Sequence, residues 1–398
     1  EIEALRSRRA QNSSVSPDGK LAAYIKDYNL WVRELATGKD YQLTTDGVKD
    51  FGYATDNAGW THSDRPVLTW SPDSKQIATF QHDGRGVRDF YLVSTNVGGP
   101  KLDSWKYPMP GDSAVFHIQR VIIHLLPNGG AHVLRLNMPP DFHRSTVSDH
   151  VSCGGEICDV QWYPDGSHLA FISSARDHKT AWFRVADAKT GEVKTLFEEH
   201  SNTQIGDASL PENLWRPLPA SNELLWWSQR DNWIHLYLYD LTTGQLKNRI
   251  TTGDGNVEDI VRIDEKARQI YFMAQGKDPS RDPYFQHLYR IGFDGKGQTL
   301  LTPENANHQV TVSPDGKYFV DAYSTPVTPP VTVLRDASGK VLQTLEKADI
   351  SKLVATGWHP PTPFTVKGRD GKTDIYGLMF TPSKLDSTKK YPIIDYIY

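Results

Sequence analysis

The chain has 398 residues, with 44 Lys and Arg against 48 Asp and Glu, so its net charge is −4. This balance argues against a protein that binds a nucleic-acid backbone or an anionic membrane surface. Hydrophobic residues make up 38% of the chain and aromatic residues 11%, which predicts a packed core. The longest aliphatic runs fall far short of the ~18 apolar residues of a membrane span, so none is predicted.

Four segments of the sequence share one turn pattern: Val15–Lys20, Trp70–Lys75, Trp162–Ser167 and Val312–Lys317. Each carries Pro-Asp followed by Gly or Ser, and each is followed by a short alternating or apolar stretch. Proline fixes φ at the first turn position, and Asp-Gly tolerates a positive φ, so the pattern predicts β-hairpins.

A second type of hairpin alternates with the first and has Thr-Gly or Asp-Gly between its strands. It occurs in Leu30–Thr44, Phe183–Phe197, Leu236–Thr251 and Leu288–Thr302. Together the two types predict four-stranded units that repeat about every 49 residues, a spacing typical of β-propeller blades. A β-sandwich is the alternative, but a sandwich does not need a hairpin at a fixed period. We predict seven units, beginning near Asn12, Pro66, Ser113, Ile157, Arg216, Asn256 and His308.

The pattern changes after residue 346, so we assign residues 1–346 to the propeller. Residues 347–363 are predicted to form one short helix, with Asp349 at its start and Gly357 at its end, followed by a stiff Pro-rich linker. In residues 364–398 we expect a hairpin over Phe364–Phe380 and an apolar strand over Tyr391–Tyr398. An apolar strand at the end of the chain suggests a domain that has been cut. Because the chain begins with Glu1, we also expect it to be processed or trimmed.

Three stretches resemble the dipeptidyl peptidase IV branch of the prolyl oligopeptidase-type serine peptidases: Ser228–Leu241, Val312–Asp336 and Gly371–Pro392. The resemblance implies an N-terminal β-propeller, usually eight-bladed, followed by an α/β-hydrolase domain. Residues 364–398 would then be the first strands of that hydrolase domain, and the family's first blade would largely precede Asn12.

The catalytic motifs of that family are not found in the 398 residues. No G-x-S-x-G sequence occurs, and the chain stops before the oxyanion turn that the resemblance would place after Tyr398. Since the nucleophile elbow presents the serine to its histidine base, we assign no catalytic residue to this chain. The parent protein is expected to be a serine-type dipeptidyl peptidase.

The resemblance also indicates a substrate-binding segment, Asp50–Asp56. In the family a segment similar to Asp-Trp-x-Tyr-Glu-Glu-Glu binds the free α-amine of the substrate through two glutamates. Asp50 and Tyr53 match this motif, whereas the acidic pair falls on Thr55 and Asp56, so one carboxylate remains where the family has two. The alternative interpretation is that the aspartates form Asx turns and Tyr53 is a packing aromatic residue.

No cofactor or metal site is predicted. Cys153 and Cys158 either close a small loop, ligate a metal with Asp159 or His150, or remain free thiols, which is the interpretation we favour. The 14 histidines show no metal-binding pattern, and His124 and His132 are expected on strands or loops without a metal role.

Two functions follow from these observations. The first is the non-catalytic propeller of a serine exopeptidase, which gates access to the active site and binds the N-terminus of peptide substrates. The second is a stand-alone propeller that binds peptides or proteins without catalysis. The expected partners are peptides and the hydrolase domain of the same protein, and a homodimer is a further expectation. We expect no nucleic-acid partner and no membrane span. We expect a periplasmic or secreted protein, with a cytoplasmic location as the alternative.

Overall fold

The computed structural model describes residues 12–55, 64–143, 159–206 and 215–396. Nearly all of its regular structure is antiparallel β-sheet. The chain divides into two compact units, Glu1–Arg249 and Ile250–Tyr398. The first sheet of the first unit has four strands in sequence order, β1 (Ser14–Val15), β2 (Leu21–Lys26), β3 (Asn29–Glu34) and β4 (Asp40–Gln42).

The second sheet has six strands, and a separate two-stranded hairpin is inserted in its sequence. Its strands are β5 (Phe51–Tyr53), β6 (Thr69–Trp70), β7 (Gln76–Asp83), β10 (His117–Leu125), β11 (Ala131–Arg135) and β12 (Asp141–Phe142). The inserted hairpin consists of β8 (Asp89–Asn96) and β9 (Gly99–Lys106).

This sheet corrects the number of predicted units. The units expected to begin near Pro66 and Ser113 are one sheet, because β7 pairs with β10 from Gln76↔His124 to His117↔Asp83. Since that pairing uses the whole of β7, the chain between the two strands forms the β8–β9 hairpin instead of completing a blade. Within the described parts of the chain, six sheets have four or more strands.

Two further four-stranded sheets complete the first unit. One contains β13 (Val160–Trp162), β14 (His168–Ser174), β15 (Thr180–Asp187) and β16 (Val193–His200). The other contains β17 (Arg216–Leu218), a 3₁₀ turn (Pro219–Ser221), β18 (Glu223–Ser228), β19 (His235–Asp240) and β20 (Leu246–Arg249).

The second unit repeats the same four-stranded order twice and ends with a hairpin. Its elements are β21 (Asn256–Asp264), β22 (Gln269–Gln275), β23 (His287–Gly292), β24 (Thr299–Leu300), β25 (Asn307–Val312), β26 (Tyr318–Thr325), β27 (Thr328–Asp336), β28 (Val341–Lys347), helix α1 (Ser351–Val354), β29 (Thr362–Lys367) and β30 (Asp374–Met379).

The four Pro-Asp turns form the predicted hairpins, and in each the backbone N–H two residues after the aspartate donates to its carboxylate. In the first, the Ser16 hydroxyl donates to Asp18 over 2.7 Å, and the backbone N–H of Lys20 donates to the same carboxylate over 3.1 Å. The turn residue Gly19 has a φ of +72°, which favours glycine. In the second hairpin the position equivalent to Gly19 is Ser74, which adopts φ +62°.

Buried aliphatic and aromatic side chains join neighbouring sheets face to face. Phe80, Ile118 and Ile122 of the second sheet pack with Leu169 and Phe171 of the third, and all five are at most 2% exposed. This packing explains the alternation in the sequence, because one face of each strand is directed at the next sheet.

The C-terminal predictions are confirmed in part. Helix α1 is present but has only four residues; Asp349 accepts a hydrogen bond from the N–H of Ser351, and Gly357 has φ +88°. The hairpin of β29 and β30 is confirmed. The strand predicted over Tyr391–Tyr398 is wrong for residues 391–396, which are not in a strand. A strand needs a neighbour to accept its hydrogen bonds, and none of the described strands pairs with this segment. The domain boundary at residues 346–347 stays a prediction.

Candidate functional site

The candidate binding segment begins in a strand that is interrupted. Strand β5 pairs with the end of β7 through Phe51↔Asp83, whereas β6 pairs with its start through Trp70↔Ile77. Both strands therefore lie along the same edge of β7. We call residues 54–68, which separate the two strands in the sequence, the insertion; the structure describes its two ends, 54–55 and 64–68.

Three hydrogen bonds fix the base of the insertion. The N–H of Ala54 donates to the carbonyl of Phe80, and the N–H of Val67 donates to the carbonyl of Ala54, each over 2.9 Å. The hydroxyl of Thr79, which is 4% exposed, donates to the carbonyl of Val67 over 2.7 Å. Ala54 itself has a φ of +53°, a conformation that an L-residue adopts only when its surroundings impose it. The two ends of the insertion are thus held together by buried groups.

Asp50 lies in the tight turn that precedes β5. Val48 and Phe51 exchange two backbone hydrogen bonds of 3.1 and 2.9 Å across this turn, and Asp50 has a φ of +61°. Its carboxylate is 3.9 Å from the ammonium of Lys106, and its side chain is 33% exposed. Asp50 is therefore a turn residue whose charge is partly offset by a lysine from β9.

Tyr53 is a buried residue whose hydroxyl already has partners. It is 1% exposed, donates to Asp46 over 2.7 Å and accepts from Arg135 over 2.9 Å. Arg135 also pairs with Asp46 over 2.8 Å. Burial, followed by the bond to Asp46, raises the pKa of the Tyr53 phenol above its usual range, so the hydroxyl stays protonated. The contacts favour a structural role in anchoring β5.

The remaining predicted residues lie at the start of the insertion. Thr55 is 5% exposed, and Asp56 lies outside the described residues. The structure thus brings Asp50, Tyr53 and Thr55 together on β5 and its flanks. Sequence reasoning missed Asp46, Lys106 and Arg135, because none lies in the matched motif and only the β-sheet pairing brings the last two near it. Cys153 and Cys158 also lie outside the described residues.

A buried ionic cluster connects the second and third sheets. The Arg120 guanidinium, 3% exposed, donates to Asp141 over 2.7 Å and to Asp159 over 2.6 Å. Arg184 also reaches Asp141 over 3.2 Å, and the Ser173 hydroxyl donates to it over 2.7 Å. Two arginines face two aspartates, so the cluster is balanced in charge.

A second cluster contains the partly exposed Glu304 and the buried His308 and Asp321, whose possible ligand atoms lie within 4.8 Å of one another. The Arg335 guanidinium, however, donates to Asp321 over 2.9 Å and to Glu304 over 2.7 Å. His308 directs one ring nitrogen at Asp321 and the other at the carbonyl of Glu304. Because a guanidinium already neutralises the carboxylates, we interpret this cluster as an ion-pair network and not as a cation site.

A surface cavity of about 600 Å³ lies elsewhere in the first unit. Tyr163, Glu192 and Leu196 are among its lining residues, and Asp50, Tyr53 and Thr55 are not. Burial raises the pKa of Tyr163 to about 12. The cavity is thus separate from the residues that the sequence singled out.

Repeated four-stranded antiparallel sheets that pack face to face define an all-β protein of the β-propeller class. The structure resembles that of Porphyromonas gingivalis dipeptidyl peptidase 4, with a TM-score of 0.73 at 19% identity, over 96% of this chain and 51% of that one. A putative dipeptidyl aminopeptidase IV from Bacteroides ovatus also gives a TM-score of 0.73, at 23% identity, over 96% and 52%.

The family model described as the dipeptidyl peptidase IV N-terminal region matches residues 1–330, so the chain belongs to this family. Among curated relatives, probable dipeptidyl-aminopeptidase B of Aspergillus oryzae is 22% identical over 98% of the chain. The corresponding protein of Emericella nidulans is 24% identical, also over 98%. The chain spans 44% of the length of either relative. Within the described residues, we find no helix with the length and apolar character required to cross a membrane.

Proposed function

We propose that this chain is the non-catalytic propeller of a serine-type dipeptidyl peptidase, and that it gates the active site and binds the N-terminus of peptide substrates. The observation that carries this proposal is the base of the insertion, where buried hydrogen bonds of Ala54 and Val67 to Phe80 and Thr79 hold its two ends on β7, beside the first strand of a blade. The first strands of propeller blades surround the central channel. A loop from that position can therefore reach a peptide that enters the channel.

The proposed ligand for the substrate α-amine is Asp56, by its match to the second acidic position of the family motif. Asp50 is the less suitable carboxylate, because Lys106 already lies 3.9 Å from it. Tyr53 would act indirectly by fixing β5, since its hydroxyl is bound to Asp46 and Arg135. Thr55 would line the base of the site, because it is buried.

We propose that the α/β-hydrolase domain of the same protein packs over the C-terminal hairpin, β29–β30. Both faces of β29 and β30 expose apolar side chains: Val366 is 50% and Ile375 51% exposed on one face, and Tyr376 is 38% and Leu378 43% exposed on the other. Beyond the hairpin, Ile393 and Ile394 are at least 90% exposed. An apolar surface of this kind needs a partner, and a stand-alone binding module would have no use for it.

A homodimer would use the β8–β9 hairpin, which pairs with no other strand among the described residues. Tyr91, Val93, Val97 and Leu102 on this hairpin are each at least 58% exposed. A second copy of the chain would remove these side chains from water. For the location we propose a periplasmic or secreted protein, on the ground that the proposed activity consumes free peptides.

The test is the replacement of Asp56 by Asn in the protein that comprises this chain and the proposed hydrolase domain. Removing one partner of a buried ion pair costs ~2–5 kcal/mol, and a single carboxylate favours the lower end, about a 30-fold loss. We expect kcat/KM to fall by that factor for peptides with a free N-terminus and to stay unchanged for N-acetylated peptides.

The exposed Asp254 provides a control, because Asp254→Asn makes the same change of charge in the second unit. An Asp56→Asn variant that lowers kcat/KM equally for free and acetylated peptides, or for neither, would show that Asp56 is a turn residue. Retained binding of peptides by a protein without any hydrolase activity would instead favour the stand-alone module.

A further inference from the structure

Two histidines and a glutamine form a row across three strands of the second sheet. His124 of β10 is the register partner of His132 in β11, and on its other side it is the partner of Gln76 in β7. Partnered residues of antiparallel strands project from the same face, with Cβ atoms about 5 Å apart. The register thus gathers three polar side chains that are far apart in sequence.

The two imidazole rings have a spacing that suits a shared metal ion. Their centroids are 5.8 Å apart, and their planes are inclined by only 30°. A first-row metal lies about 2.1 Å from each coordinating nitrogen, which separates the centres of two ligated rings by about 4.5–6.5 Å. The separation of the two rings therefore lies within the range of an imidazole pair that binds one ion.

The ring of His124 is held from outside the row by a hydrogen bond with the backbone of Ala188. Histidine ligands of metals commonly use their second nitrogen in this way, because the bond fixes the tautomer and orientation of the ring.

Gln76 contributes an oxygen to the same row. Its amide nitrogen donates to the carbonyl of Gly166 over 3.1 Å, which fixes the orientation of the amide. Its Oε1 atom is buried and has no hydrogen-bond partner in the structure. A buried oxygen in this state is costly unless a donor or a cation occupies its lone pairs.

We propose that Gln76, His124 and His132 form a site for a divalent transition metal that prefers imidazole, such as Zn²⁺ or Ni²⁺. Hard cations such as Mg²⁺ are excluded from such a site, because the row offers no carboxylate. The seven residues between the two histidines match no metal-binding motif, which is why the sequence alone assigned them no metal role. The row lies at the Gln76 end of β7, about 20 Å from the Asp83 end that carries β5, so the proposal is independent of the peptide site.

The experiment is isothermal titration of the metal-free 398-residue chain with Zn²⁺ and Ni²⁺, and with Mg²⁺ as the reference cation. We expect about one equivalent of Zn²⁺ or Ni²⁺ to bind to the row, and no binding of Mg²⁺. His124→Gln and His132→Gln should each weaken the binding at least ten-fold, whereas the exposed His359→Gln should not change it. All variants keep both cysteines, so a difference in metal affinity between them is due to the histidines of the row and not to the cysteines.

Stability provides a second readout. A ligand that binds the folded chain raises its unfolding temperature, and this increase should disappear in both row variants but not in His359→Gln. His132 is exposed at the surface, so its replacement is expected to leave the fold intact. The proposal is overturned if the parent chain binds neither metal, or if the row variants retain the affinity and the thermal shift of the parent.

Discussion

At the scale of single residues, arginine is the counter-ion of the buried Asp141, Asp159 and Asp321. Arg120 serves Asp141 and Asp159 in the first unit, and Arg335 serves Asp321 and Glu304 in the second. The carboxylates raise the pKa of both guanidiniums above the usual range, against burial, which lowers it. The two clusters therefore have the same physical basis. In each, one guanidinium donates hydrogen bonds to two carboxylates at once.

We predict that Arg120→Met destabilises the fold by ~3–5 kcal/mol, because it removes the guanidinium that pairs with the buried Asp159 and leaves Asp141 with Arg184 alone. The matched control is Arg33→Met, which removes an arginine of similar geometry, bonded to Asp40 over 2.8 Å but about one-third exposed. A pair at the surface contributes at most ~1 kcal/mol, so the control should lose little. Urea unfolding monitored by tryptophan fluorescence measures the free energy of unfolding of both variants. Equal losses in the two variants would contradict a special role for the buried cluster.

At the scale of elements, backbone contacts between neighbouring sheets depend on single glycines. Strand β16 contains a bulge at Leu196, where the register shifts between Phe183 and Arg184. The carbonyl of Leu196 approaches Gly244 in the turn between β19 and β20. A Cβ atom on Gly244 would lie 2.1 Å from this oxygen. Two sheets can therefore approach here only if the turn residue has no side chain.

Gly244→Ala should thus be more destabilising than Gly19→Ala. Both glycines have nearly the same φ, +73° and +72°, but a Cβ on Gly19 would meet nothing within 4 Å. Alanine in the left-handed region costs ~1–2 kcal/mol at either position. At Gly244 the backbone of β16 must also move, which we expect to raise the loss above ~3 kcal/mol. Equal losses in thermal unfolding experiments would show that the close approach to Leu196 is unimportant.

The carboxylates of the Pro-Asp turns predict how the stability of the fold depends on pH. The N–H of Lys317 and the hydroxyl of Ser313 hold the pKa of Asp315 below its ordinary value of 3.8. In the first turn, Ser16 and then Lys20 lower the pKa of Asp18. Because these values are lower in the folded than in the unfolded chain, their stabilisation is complete above about pH 4 and is lost as the pH falls further.

Asp315→Asn should therefore reduce the loss of stability between about pH 5 and pH 3, since the amide does not titrate in this range. The measurement is the urea midpoint of parent and variant across that interval. Parallel curves for the two proteins would contradict the assignment of acid sensitivity to this turn.

These elements also show what sequence can predict. The hairpins follow from Pro-Asp and Thr-Gly, because a turn is determined by a few adjacent residues. The pairing of β7 with β10 was missed, since 33 residues and a complete hairpin separate the two strands. The partners of Tyr53 were missed for the same reason: Arg135 is 82 residues away and reaches it only through the order of the sheet.

At the scale of the whole molecule, large apolar side chains are exposed on two segments, the β8–β9 hairpin and the end of the chain. In the first unit, the sheets cover one another with fully buried cores such as Phe80 and Phe171. In the second unit, the hairpin β29–β30 and residues 391–396 remain exposed on both sides. Strand β28 is also exposed along its entire length, from Val341 to Lys347. Docking of the proposed hydrolase domain would bury this C-terminal surface.

The last prediction is that the 398-residue chain alone binds peptides or dyes but does not hydrolyse peptides. Because the chain contains no G-x-S-x-G, a fluorophosphonate probe of serine hydrolases should not label it. The exposed Phe364, Val366 and Ile393 should bind the dye ANS, and the variant Phe364→Lys with Val366→Lys should bind less. Gln245→Lys with Thr252→Lys makes the same change of charge at two exposed polar residues and should leave the dye binding unchanged. A protein that adds the proposed hydrolase domain should lose the dye binding of the C-terminal hairpin and gain labelling by the probe. Stoichiometric labelling of the chain alone, or unchanged dye binding in the presence of the domain, would refute this arrangement.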